Sequence, residues 1–286
     1  MVAPTEITPM QLQYVDYKFK LLTPCFSGTA LGRLDNHAEM RIPPIRGHIR
    51  FWHRALFDCH DCNRVWGSAS GQSGHGSLVA LRFVGTLSNM KADPDPAILP
   101  HKNDSKQRGR RPALACGESF DLRLHRLVGC TDQDWDHAQR ALKLWLLLGG
   151  LGLRSNRAAG SVWPDADWAP KNTDDLKRIL KQLDLKNCEV AIIGMNVGKT
   201  PDELRITASD TISGNPHRNI FGGIQPRQPS PVKFKVIKFD NCHCLLACAP
   251  CNNGQNSILR EAQRLLKEKP APQRWLALGK WDYIFA

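Results

Sequence analysis

Residues 12–22, LQYVDYKFKLL, alternate along the chain and put Val15, Tyr17, Phe19 and Leu21 on one face, which predicts a strand. After Pro43-Pro44 the period changes. Ile45, Ile49, Trp52 and Leu56 recur at helical spacing, predicting a helix over 45–57. Residues 77–87 and 118–128 predict two more strands, and 132–148 a second helix. Thr131 with Asp134 three residues on is a capping-box start, and Gly149-Gly150 offers a left-handed stop. A short strand is expected over 160–163. The order β-α-β-β-α-β is that of a ferredoxin-like, RRM-type sandwich. The second half is less regular, with a helix over 172–183, strands over 189–195, 232–239 and 242–248, and a helix over 256–268. These elements fit a degenerate second copy of the same unit. The expected fold is therefore α+β, two ferredoxin-like domains packed together, at 1–165 and 166–286. A Pro- and Lys/Arg-rich insertion over about 88–117 reads as a mobile surface segment, carrying Lys106, Arg108, Arg110 and Arg111.

Charge adds a partner class. With 39 Lys and Arg against 27 Asp and Glu among 286 residues, the net charge is +12, a surplus that favours polyanions. The N-terminal MVAPTEITPMQLQ lacks the pattern of a secretory signal, and LKLWLLLGGLGL is too short for a membrane span. Ten cysteines without a signal peptide point to reduced thiols and a cytoplasmic protein without a membrane partner.

Three stretches carry candidate chemistry. Arg46, Arg50 and Arg54 stripe the first helix beside its apolar face, with Gly47 and His48 between them, suited to a repeating anion or to solvent. The loop GGLGLRSNRAAGSVW, residues 149–163, combines Gly150, Gly152 and Gly160 with Arg154 and Arg157. It is neither a Walker loop nor a dinucleotide fingerprint, since it runs from helix to strand without a closing Lys-Ser/Thr. Beside the arginine stripe, RNA-backbone binding accounts for it better than a tight turn alone. Cys59-x-x-Cys62 and Cys248-x-x-Cys251 are two knuckles that could share a structural zinc if the fold joined them, with a local site of Cys242, Cys244, Cys248 and Cys251 as the alternative; buried reduced cysteines explain the same residues without metal, and no cofactor is required. Trp66 and Trp163 flank glycine-rich turns and are candidate stacking platforms.

LLTPCFSGTALG, AEMRIPPIRGHIRFWHRAL, VWGSASGQSGHGSLVALRF and LLLGGLGLRSNRAAGSV together resemble the RAMP superfamily of CRISPR effector proteins. More narrowly they are similar to the first-subunit family of the type III-B (Cmr) complex, with Thr23-Pro24, the Arg46–Ala55 helix, Trp66–Ser68 and Gly150–Ser161 in family order. PRQPSPVKFKVIK, with Arg227, resembles a later strand lead-in of that family. The resemblance implies a non-catalytic ribonucleoprotein subunit in antiviral defence. It would contact guide RNA near its 3′ end, touch neighbouring RAMP subunits and help capture single-stranded target RNA. Arg46, Gly47, His48, Arg50, Arg54, Trp66, Gly150, Gly152, Arg154, Arg157, Gly160 and Arg227 would form the RNA surface. His53 stands where an aromatic residue is common in that family. Two alternatives remain. One is a RAMP endoribonuclease using Asp35 with a metal, or a histidine such as His37, as general base. The other is a basic scaffold serving only protein neighbours.

Overall fold

A computed structural model describes residues 13–28, 37–69, 74–85, 92–93, 96–100, 102, 109, 111–194, 199–212, 216–223, 225–240, 242–251, 257–267 and 280–285. The first sheet contains β1 (Tyr14–Leu21), β2 (Val79–Phe83), β5 (Ser119–Arg126) and β6 (Val162–Pro164), in the order β2-β5-β1-β6. All its pairings are antiparallel. Helices α1 (Ile42–Leu56), α2 (Cys59–Trp66) and α3 (Asp132–Leu148) belong to this half of the chain. Strand order four-one-three-two, counted along the chain, is the ferredoxin-like arrangement that the pattern predicts.

The second sheet repeats it. It contains β7 (Cys188–Ile193), β8 (Lys233–Lys238), β9 (His243–Pro250) and β10 (Trp281–Phe285), in the order β10-β7-β9-β8. Helix α4 (Thr173–Gln182) leads into it, α5 (Pro201–Ile212) and the single turn α6 (Arg218–Phe221) precede β8, and α7 (Ile258–Lys267) precedes β10. This half is a complete β-α-β-β-α-β unit, not a degenerate one.

Several local expectations need correction. Helix α1 starts at Ile42, so both prolines lie within its first turn, where missing N–H groups cost nothing. Gly149 is extended (φ −92°), not left-handed. What excludes other residues there is a pair of indoles: an added Cβ would collide with the Trp145 ring and lie 2.6 Å from Trp52 Nε1. The insertion is anchored in its last part. Cys25 and Leu114 exchange backbone hydrogen bonds of 3.0 and 2.9 Å, Ala113 and Leu114 are buried, and the short strands β3 (Ala92–Asp93) and β4 (Ala113–Leu114) pair. Lys106, Arg108 and Arg110 lie outside the described residues.

One core carries both sheets, from Phe19, Leu122 and Trp145 in the first to Val190, Phe234 and Leu245 in the second. Across the junction, the Lys235 ammonium is buried and donates to the Leu146 carbonyl at 2.6 Å, on the last turn of α3. It also lies 5.4 Å from the centre of the Trp163 ring. Burial holds this amine well below the usual lysine range, because an apolar setting penalises the charged form. The unfolded chain therefore binds more protons than the folded one between that lowered value and the ordinary 10.5, so stability rises with pH through this window. Lys235→Met is expected to raise stability at neutral pH by about 1 kcal/mol. Its advantage should shrink as pH approaches 10, as read by urea denaturation at several pH values; an equal offset at all pH values would show a lysine that stays charged.

Candidate nucleic-acid interface

The turn between α3 and β6 is built by its own steric needs before any ligand is considered. Gly152 (φ 81°), Arg154 (63°), Ala158 (62°) and Gly160 (57°) are left-handed. A Cβ on Gly152 would lie 2.7 Å from the Phe26 carbonyl oxygen, and one on Gly160 would collide with the Leu151 carbonyl. These glycines admit the chain itself. Gly150 bridges Ser161 at the base of the turn. Thr23 secures the far side, its hydroxyl donating to Ala158 O at 2.7 Å and accepting from Ser161 N at 3.0 Å. Gly160 N donates to Pro24 O at 2.8 Å. The Thr-Pro pair and the glycine-rich turn are thus two halves of one structure.

At its tip stand Arg154 and Arg157, half-buried. Among the described residues neither guanidinium has a hydrogen-bond or ion-pair partner. Burial lowers the Arg154 pKa. Arg157 is pushed down to about 10 by burial and by the neighbouring Arg154 charge. Both remain charged at neutral pH, so the turn carries a half-buried cationic pair.

The turn meets the second sheet and α1. Phe234 N donates to Asn156 O, and Ala158 N to Phe234 O, each at 3.0 Å. Lys233 Nζ donates to Asn156 Oδ1 at 3.1 Å and lies 4.7 Å from the ring centre of the exposed Phe51. His48, one turn earlier on α1, is held neutral by burial and then by the Lys233 charge. Phe51, Lys233 and Asn156 were not among the sequence candidates. The available signal was Phe51, an aromatic residue off the apolar stripe of a helix. Gly47 lies open, with nothing within 4 Å of an added Cβ. Arg54 and Arg227 are exposed.

The arginine stripe divides. Arg46 donates to Trp66 O, while Arg50 reaches Trp66 O at 3.2 Å, Gly67 O at 2.6 Å and Asn63 Oδ1 at 2.9 Å. Both cap the C-terminal carbonyls of α2, where positive charge is favoured. Only Arg54 keeps an exposed head, 3.8 Å from Cys62 Sγ. With α1 starting at Ile42, its N-terminal amides also lie a turn before Arg46, and the two prolines there have no N–H. Trp66 is fully buried and Trp163 is 2% exposed, so neither is a stacking surface.

Cys59, Cys62, Cys248 and Cys251 form no metal-capable cluster among the described residues. Cys62 Sγ donates to Arg50 O under α1, Cys59 is exposed, and Cys248 lies in β9. Among the described residues the metal-capable cluster is His53, Asp61 and His137, and its protons argue against an ion. Trp66 Nε1 donates to His53 Nδ1 at 3.0 Å, which places the His53 proton on Nε2, 2.8 Å from Asp61 Oδ2. His137 Nδ1 lies 2.8 Å from the same oxygen, and Arg64 pairs with both Asp61 and Asp134. A metal on His53 Nε2 would move its proton to Nδ1, against the Trp66 donor. The cluster binds α1, α2 and α3 together. His37 is exposed, and Asp35 lies outside the described residues.

A family model described as the RAMP superfamily matches residues 18–163, just over half of the chain. The chain belongs to the RAMP superfamily. Among curated protein sequences none matches it. Its fold is similar to the crystal structure of Cmr1 from Pyrococcus furiosus in its apo form, with TM-score 0.63 and 15% identity over 96% of this chain and 99% of that one. A cryo-EM structure of type III-B Cmr-beta bound to cognate target RNA matches at TM-score 0.53 and 11% identity, over 90% and 99%. A second Cmr-beta structure, with target RNA and AMPPnP in the presence of ssDNA, matches at 0.51 and 12%, over 90% and 98%. The likeness of fold therefore extends through both halves of the chain, beyond the stretch matched by the family model.

Two substitutions on α1 separate architecture from contact. Arg50→Ala removes charge-assisted bonds to the end of α2 and should cost about 1.5–3 kcal/mol in chemical denaturation. Gly47→Ala enters open space on a helix and should add up to about 1 kcal/mol. An Arg50→Ala protein as stable as the parent would show that the stripe does not hold α2.

Proposed function

We propose that this RAMP protein is a non-catalytic RNA-binding subunit of a type III-B (Cmr) CRISPR effector complex. It would contact guide RNA near its 3′ end and help capture single-stranded target RNA beside neighbouring RAMP subunits. The observation that carries the reading is the half-buried pair Arg154 and Arg157 on a left-handed turn, without side-chain partners among the described residues. Lys233, Arg54, Gly47 and His48 extend it across the first helix and the second sheet. Likeness to Cmr1 over nearly the whole of both chains supports the place in the complex. No helix among the described residues is long and apolar enough to cross a membrane.

Each phosphate neutralised on a single strand contributes about −0.7 to the log–log salt slope. Arg157→Ala should therefore flatten the slope for a single-stranded RNA by about 0.7, to a similar extent for every sequence, because phosphate contacts position without specifying. Arg154→Gly should do the same while keeping or raising stability, since glycine suits its φ of 63°. Fluorescence anisotropy across a salt series reads both; unchanged slopes would remove the turn from the interface.

One observation favours a second reading, an endoribonuclease. His48 is a neutral imidazole beside the Lys233 ammonium, the form a general base requires. Incubating labelled guide and target with the chain, with and without divalent metal, separates the two readings. Intact RNA is the expected result. Cleavage abolished by His48→Ala, or metal-dependent cleavage abolished by Asp35→Ala, would make the protein an enzyme.

A further inference from the structure

Between α1 and the second sheet lies a cleft of about 740 Å³, within the ~300–1,000 Å³ of pockets that hold small ligands. Its mouth is shared with the arginine turn through Lys233, which lines the cleft, bonds Asn156 and lies over Phe51. Phe51 is 42% exposed, while its neighbour Trp52 is 3% exposed and set edge-on to it at 5.3 Å. α1 thus turns one ring into the core and offers the other to the cleft. Among the described residues the charged side chains lining the cleft are Arg54 and Lys233, with no carboxylate, and Asn219 and Gln228 add carboxamides.

We propose that this cleft receives one unstacked nucleobase from the strand whose phosphates lie on Arg154 and Arg157. The proposal rests on the RNA-binding reading above and adds a base site to a backbone site. Three features must be used at once by the occupant: an exposed aromatic face, neutral groups that both donate and accept, and uncompensated positive charge. A base attached to its phosphates uses all three. Its ring stacks on Phe51, its edge meets the carboxamides, and its anionic backbone passes Lys233 and the turn. A basic peptide is excluded by charge. An acidic peptide would satisfy the cations and leave the aromatic face and the carboxamides unused. Stacking on an aromatic side chain tolerates any base, and carboxamides can present either a donor or an acceptor. The site therefore grips the strand without selecting its sequence.

The experiment uses the full chain and a single-stranded RNA carrying 5-iodouridine at one position at a time, irradiated and mapped by mass spectrometry. Iodouridine is expected to crosslink to the peptide containing Phe51, at whichever positions the sequence-independent register places in the cleft. Phe51→Leu, at an exposed position, should lose that crosslink and bind about tenfold more weakly with an unchanged salt slope. Arg157→Ala should flatten the slope and keep the crosslink. Salt-dependent binding with crosslinks elsewhere and no effect of Phe51→Leu would overturn the base site and leave the arginine turn standing. Absence of RNA binding at every salt concentration would overturn both. An oligo-glutamate peptide that binds in a Phe51-dependent manner, where RNA does not, would assign the cleft to an acidic protein segment and overturn the proposal.

Discussion

The outer edge of β8 meets the turn between α3 and β6, and the rest of the molecule is arranged around that contact. β8 ends its sheet, so the N–H and C=O groups on its outer side need partners or they invite another chain. Here they are satisfied from within. Asn156 O accepts from Phe234 N, Ala158 N donates to Phe234 O, and the Ser161 hydroxyl accepts from Val236 N while donating to Ala158 O. The first sheet ends nearby in β6, directly after the same turn. One short segment closes the β8 edge and leads into β6, and it is left-handed at several residues to do so. That segment also holds out the two arginines. The joint between the domains and the candidate RNA surface are therefore one object, and a change that loosens the joint will misplace the cations.

The basic residues divide by what surrounds them. Arg46 and Arg50 are occupied with helix-terminal carbonyls, and Arg64 with two aspartates. Charge-assisted bonds of this kind contribute about 1.5–3 kcal/mol each, enough to make such cations architectural whatever the net charge of the chain. Arg154 and Arg157 have no such partner among the described residues. Two like charges held near each other in half-buried positions destabilise the free protein, and a phosphate would relieve both burial and repulsion. Net charge alone cannot make this distinction. The partner of each cation does.

Most of the first sheet was readable because its strands alternate and its helices carry caps and stripes: Val15 to Leu21, and the Thr131–Asp134 box, appear in the structure as the pattern requires. Helix α2 is hidden in the sequence, because Cys59 and Cys62 read as a metal knuckle and not as part of a helical face. Yet Asp58 caps Asp61 N, and Cys62, Val65 and Trp66 form its buried face. Helix α5 hid behind buried polar residues, Arg205, Thr207 and Ser209, although Thr200 and Glu203 exchange the bonds of a capping box. β10 was obscured by an irregular register between Tyr283 and Phe285. The roles of the arginines on α1 could not be read at all, because they depend on where the last carbonyls of α2 lie.

The glycine-rich turn shows how a recurring motif can be misread even when its position is right. Flexibility suggests glycines that let a ligand come close. In this fold Gly152 and Gly160 are packed against Phe26 and Leu151, and the segment is fixed from three directions, by Thr23, by Pro24 and by β8. Rigidity is the more useful property for a backbone reader. A phosphate contact gains from an arginine whose backbone is already placed, since the ordering cost has been met during folding and not during binding. The motif pairs glycines with arginines because the first make the turn that the second need. Thr23-Pro24 belongs to the same motif, far away in sequence, because it is the surface against which that turn is pressed.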